Sequence, residues 1–280
     1  MKGALRGRTE LRFDPHADKT ALPGSPTHAT LLSMSNELPR EPEDKRKAEC
    51  PYCHQALPKI PAKKTKCPHC GQVMYVRTRP KDRARVVVTQ DEAEKIEEEW
   101  AIVSGTHDAY VTNKQRIEDE RIFLRERFSG RDPSDRDIQW SLLNKDSLKY
   151  AQRADWGLYR NARFDMGEIL RRELKLRPAL EMYLEVCYLD LNGPRNTGGL
   201  TDLCLLRQFP PFDPRDAYLA PAVIGVIDAL ASKLQLDRDS LKRLFIEHNV
   251  RIHKALHLPL VPEACWPILE KEVQQAHDTP

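Results

Sequence analysis

From residue 89 onward, apolar positions recur at the three- and four-residue spacing of amphipathic helices. The spacing predicts a helix from Thr89 to about Val103, opened by Thr89-Gln90-Asp91-Glu92, in which Thr89 serves as N-cap and Glu92 reaches back to it. Further helices are predicted over Asp108–Phe128, from the Pro133-Ser134 cap to about Ala154, and over Trp156–Leu174. The next has Pro178 in its first turn and an apolar face of Leu180, Tyr183, Leu184, Cys187 and Leu191. Asn192–Asp216, with Gly193-Pro194, Gly198-Gly199 and Pro210-Pro211, reads as a long connection with one helical turn near Leu203–Arg207. Helices over Tyr218–Leu236, Ser240–Leu256 and after Pro262 complete the chain, the first of these being the expected buried centre of its region.

Upstream the pattern changes. Gln72–Arg79 alternates apolar and polar residues as a strand does, and Arg85–Val88 predicts a second short strand. Just before them lie Cys50-Pro51-Tyr52-Cys53 and Cys67-Pro68-His69-Cys70-Gly71, two C-P-x-C turns separated by thirteen residues. Cys50, Cys53, Cys67 and Cys70 offer four soft sulfur donors to one tetrahedral site, the arrangement that selects Zn²⁺. A small β zinc ribbon stabilised by one structural metal ion is therefore expected, with His54 and His69 redundant beside the four sulfurs. A closed set of four ligands leaves no position for activating water, and no phosphate-binding glycine loop or nucleophile elbow occurs elsewhere, so the chain is not read as an enzyme.

These elements divide the 280 residues into a tail (1–45), the ribbon (46–88), a helical domain (89–191), a connection (192–216) and a C-terminal helical subdomain (217–280). The tail lacks either period and is expected to be disordered, with Met34 a candidate natural start. Its first residues are basic but run into Thr9-Glu10-Leu11-Arg12 instead of an apolar stretch, unlike a secretory signal. The longest nearly uncharged stretch, Ala217–Ile227, falls short of the about 20 residues that cross a bilayer. Three further cysteines, Cys187, Cys204 and Cys265, lie far apart in apolar surroundings and suit a reducing compartment. A cytoplasmic protein with no membrane partner is expected.

Charge sharpens the division. The net charge is +3, yet Lys45–Arg85 carries twelve Lys and Arg against two acids, Glu49 and Asp82, so the ribbon is basic and the remainder acidic. Lys63, Lys64 and Lys66 between the turns, and Arg77, Arg79, Lys81, Arg83 and Arg85 beyond them, could follow a nucleic-acid backbone, with Tyr52 and Tyr75 available for stacking. The acidic run Asp91, Glu92, Glu94, Glu97, Glu98 and Glu99 could instead fold against these cations and compete for them. His253 and His257 stand one helical turn apart without an evident third ligand, and His248 falls on an apolar stripe. Trp100, Trp140 and Trp156 suit interhelical packing or a peptide groove.

The helices over Trp156–Leu174 and Pro178–Leu191 resemble a tetratricopeptide-type hairpin. Gly167, Ala179 twelve positions later and Tyr183 four beyond that carry the likeness, the small residues allowing close approach and the tyrosine filling the crossing. Arg163 stands where that family has an early tryptophan, Val186 where it has a small residue and Leu191 in its terminal proline slot; no second copy aligns. In arrangement the whole chain resembles uncharacterised bacterial and phage-borne proteins with an amino-terminal zinc ribbon and a helical body. The resemblance implies an architecture and a prokaryotic origin, not an activity; the chain itself is read as a zinc-ribbon protein whose tetratricopeptide-like body acts as a binding or adaptor module for a protein partner. The alternatives are a nucleic-acid-binding regulator using the basic ribbon and an enzyme of a class without a recognisable motif.

Overall fold

The computed structural model describes residues 48–278, so the tail at 1–45 lies outside the described residues. A small antiparallel sheet leads into a mostly helical body. Strands β1 (Thr65–Lys66), β2 (Val73–Thr78) and β3 (Arg85–Val88) are ordered β1-β2-β3, with Lys66 opposite Val73 and Tyr75 opposite Val88. The helices are α1 (Gln90–Val103), α2 (His107–Arg127), α3 (Asp135–Gln152), α4 (Trp156–Arg172), α5 (Leu176–Leu191), α6 (Leu203–Gln208), α7 (Pro221–Lys233), α8 (Arg238–Leu256) and α9 (Pro262–Asp278).

Helix α1 starts where its capping box dictates. The Glu92 amide donates to Thr89 Oγ1 at 3.3 Å, and the Thr89 amide donates to the Glu92 carboxylate at 2.9 Å. Helix α3 repeats the device with Ser134 and Asp137. Helix α7 begins at Pro221, whose missing N–H costs nothing in a first turn, so Tyr218, expected at the start of this helix, lies ahead of it and is exposed.

The centre of the body is α5. Every residue from Tyr183 to Leu191 is buried, and α4, α7, α8 and α9 all pack against this helix. One core runs from Leu170 through Tyr183, Leu184 and Ile227 to Phe245, Cys265, Trp266 and Leu269, each large side chain contributing about 1.5–3 kcal/mol. Helices α4 and α5 therefore share one core with α7, α8 and α9. The expected centre, α7, exposes Ala222, Gly225 and Ala229 on one side. Two acids, Glu185 and Asp190, make α5 read as one-faced; both are buried and ion-paired with arginines of α4. At the α4–α5 crossing a Cβ on Gly167 would lie 3.3 Å from Met182 Cβ and 3.4 Å from Tyr183 Cζ, so the absence of a side chain there lets the helices meet.

The connection between α5 and α7 is pinned along its length. The Arg195 amide donates to Pro211 O (2.9 Å), the Trp156 amide to Arg195 O (3.0 Å), and the Gly198 amide to the Asp155 carboxylate (2.7 Å). Gly193 has φ +62°, and a Cβ there would sit 1.9 Å from the Asp213 carbonyl oxygen. Gly193→Ala is expected to destabilise the body by about 1–3 kcal/mol, measured as a shift of the urea midpoint at constant slope; an unchanged midpoint would contradict the tight approach.

Helices α1–α3 are packed more thinly. Helix α2 buries only Glu120 and Leu124, and α3 only Ile138 and Ser147. Glu120 is neutralised by Lys145 and accepts from Ser141 Oγ at 2.6 Å.

Candidate metal centre

The two C-P-x-C turns fold alike. In the first, the Cys50 amide donates to Gln55 O and the His54 amide to Cys50 O; in the second, Cys67 pairs with Gln72 and Gly71 with Cys67 in the same way, all at 2.8–2.9 Å. The residue after each second cysteine turns through the left-handed region, His54 at φ 57° and Gly71 at φ 74°. This geometry aims both sulfurs of each turn inward.

The four sulfurs lie within 4.8 Å of one another, with Cys50–Cys70 and Cys53–Cys67 each at 3.8 Å. A tetrahedral ion with metal–sulfur bonds of about 2.3 Å requires sulfur–sulfur separations of about 3.8 Å, so the site fits a metal ion. The amides of Cys70 and His69 draw the Cys67 thiol down to about 6. The Gln55 amide favours the Cys53 thiolate, but burial and the neighbouring sulfurs outweigh it and push that thiol up to about 12. Four thiolates in this volume need a compensating cation. Among the described residues the other buried side chains packed with them are Leu57 and Met74. His54 and His69 are exposed and lie outside the sulfur cluster. Among the described residues this is the one grouping of three or more potential metal ligands, and His253 is occupied otherwise, its Nδ1 lying 3.0 Å from the Tyr188 hydroxyl.

Strand β2 has two working faces. Met74 packs with the cysteines, whereas Tyr75 packs with Val88, Ala93, Ile96 and Trp100 of β3 and α1. Trp100 also donates to Thr78 O at 2.6 Å, a packing role. The other tryptophans pack as well: Trp140 lies against the main core and Trp156 stacks on Phe212 at 5.2 Å.

The basic residues divide into two groups. Arg77 is paired with Glu97 of the acidic helix at 2.5 Å, Arg79 with Asp82 at 2.5 Å, and Arg83 lies over the Trp100 ring at 4.6 Å. Arg85 donates to Pro61 O (3.0 Å) and Ala62 O (2.6 Å). Lys63, Lys64, Lys66 and Lys81 are exposed. Tyr52 is exposed, but the Tyr75 ring is covered by Lys64 at 4.6 Å and Arg77 at 5.7 Å and does not offer a free face.

A buried ionic cluster joins α4, α5 and α8. Arg163 makes a bidentate pair with Glu185 (2.7 and 2.6 Å), His248 Nε2 lies 3.3 Å from the same carboxylate, and the Tyr159 hydroxyl donates to it at 3.3 Å. Burial raises the Glu185 carboxyl, but hydrogen bonds from His248 and Arg163 outweigh this and hold it below the usual range. The sequence signal for this cluster was the pair of acids in an otherwise uncharged half-helix. Of the remaining cysteines, Cys187 and Cys265 are buried as expected, but Cys204 is exposed on α6, which lies on the surface.

No family model, curated protein or solved structure matches the chain. Among the described residues no helix is long and apolar enough to cross a membrane.

Proposed function

We propose that the protein is a non-catalytic interaction protein: a ribbon held by one Zn²⁺ ion joined to a tetratricopeptide-like helical body that engages another protein. The observation that carries this reading is the thin packing of α2 and α3. These helices leave Val111, Ile122, Phe123 and Leu148 exposed, and between them runs an open groove of about 470 Å³ lined by Ile117, Ile138, Leu142 and Leu143 together with Arg116 and Asp146. Apolar anchors within a charged rim are the usual composition of a protein-binding surface. Zinc is favoured for the sulfur site because a tetrahedral set of four thiolates suits that ion, and a closed set assigns it a structural role. The buried acids of the described body, Glu120, Asp155, Glu185, Asp190 and Asp213, are each neutralised by a basic partner, which leaves them poor candidates for general acid–base chemistry.

The test places a photo-crosslinking residue at Phe123 and at Leu148 in the protein's native cells. One discrete adduct at both positions is expected. In a purified binding assay, Phe123→Ser with Leu148→Ser should then weaken the identified partner at least about tenfold. Absence of adducts at both positions, or unchanged affinity in the double variant, would overturn the reading.

A further inference from the structure

We propose that the loop between the two cysteine turns, together with Tyr52, forms a binding site for single-stranded nucleic acid. Between Glu49 and Asp82 the chain contains no carboxylate, and Lys59, Lys63, Lys64 and Lys66 are all exposed there. Three acids of the helix that could neutralise them are engaged elsewhere. Glu97 takes Arg77, Glu94 takes Lys114 at 3.2 Å, and Glu98 lies 3.2 Å from His107. Among the described residues the ribbon's ion pairs are those of Arg77 and Arg79, and neither involves the loop lysines. Four thiolates around one divalent ion add two negative charges, fewer than the four lysines supply.

The loop is also fixed in shape. The Arg85 guanidinium holds it through Pro61 O and Ala62 O, and Thr65 and Lys66 pair with Met74 and Val73. Cations presented on a pinned backbone lose little entropy when a phosphate binds. Tyr52 adjoins Cys53, whose sulfur is 3.8 Å from that of Cys67, and Lys66 adjoins Cys67, so ring and cation belong to the same end of the ribbon. Lys63–Lys66 spans at most about 10 Å, too short to track a duplex and without a helix to enter a groove. A single strand can lay three phosphates on the lysines and stack a base on Tyr52.

The experiment is fluorescence anisotropy with the full-length, metal-loaded protein. Probes are labelled fifteen-nucleotide oligothymidine and oligouridine, a fifteen-base-pair duplex and a fifteen-residue polyglutamate, at 50–200 mM NaCl. Single strands should bind best, losing about twentyfold in affinity across this range if three phosphates are neutralised. Lys63→Gln with Lys64→Gln and Lys66→Gln should flatten the salt slope by about two, the three arginine replacements should restore it, and Tyr52→Ala should weaken binding about fivefold or more. Four results would overturn the proposal: no binding at 50 mM salt, an unchanged slope in the glutamine variant, failure of the arginine variant to restore binding, or duplex or polyglutamate binding as tight as the single strand. Metal content and far-UV circular dichroism establish that each variant is folded.

Discussion

Cys67→Ser protein is expected to release its metal and lose the ribbon while keeping its helices. Around its sulfur cluster the ribbon buries, among the described residues, two of the ligands plus Leu57 and Met74, far too little apolar area to hold a fold together. Structural zinc in comparable small domains supplies about 10–16 kcal/mol of apparent binding free energy, so removing one sulfur removes the principal stabilising term. The core around α5 contains no ribbon residue, and its helical signal should persist. One equivalent of zinc should be liberated from the native protein by a thiol-blocking reagent, and trypsin should then cut at Lys59, Lys63, Lys64 and Lys66. Cleavage should be slower beyond β3, because Tyr75, Val86 and Val88 remain packed on α1. A metal-free variant whose loop still resists trypsin, or whose helices melt with the metal, would contradict this division.

Glu185→Ala is expected to destabilise the body by about 3–5 kcal/mol, because it leaves the Arg163 guanidinium largely buried and without its counter-charge. Replacing both partners, Arg163→Met with Glu185→Leu, should recover most of that loss, since desolvating the pair offsets much of its attraction. Urea midpoints of the single and double variants check both statements; an additive double variant would show that the charges do not act as a pair. The sign of the pH dependence follows from the lowered carboxyl. A group whose folded pKa lies below its unfolded value contributes stability that is fully present above the unfolded value, about 4.3 for Glu, and is lost as pH falls through the folded value. The gap between the native protein and Glu185→Gln should therefore be widest near neutrality and close in acid. A gap that widens in acid would refute the assignment.

The helices and the sulfur cluster were legible in the sequence because their determinants are local. Thr89 and Glu92, Ser134 and Asp137, and the two C-P-x-C turns each act within a few residues, and each element lies close to where those residues place it. What stayed hidden depends on distant partners. Glu185 reads as a solvent-facing acid until Arg163, twenty-two positions earlier, and His248, sixty-three later, are brought to it. The same holds for the division of the basic residues: their number is plain in the sequence, but only the fold separates Arg77, taken by Glu97, from the loop lysines, which make no ion pair with an acid among the described residues. The shared core was obscured by the Gly- and Pro-rich stretch at 192–216, which looks like a boundary by composition and is tied down by hydrogen bonds across it.

The enclosure of α5 sets a timescale for the whole body. Amide hydrogens from Cys187 to Leu191 belong to an intact helix whose side chains have no solvent-facing side, so small openings do not reach them. Their exchange with deuterium requires separation of α4, α7, α8 and α9 from the centre, and they should be the slowest amides in the protein. Under rapid-reclosing conditions their exchange rates read out the global unfolding free energy directly, without denaturant.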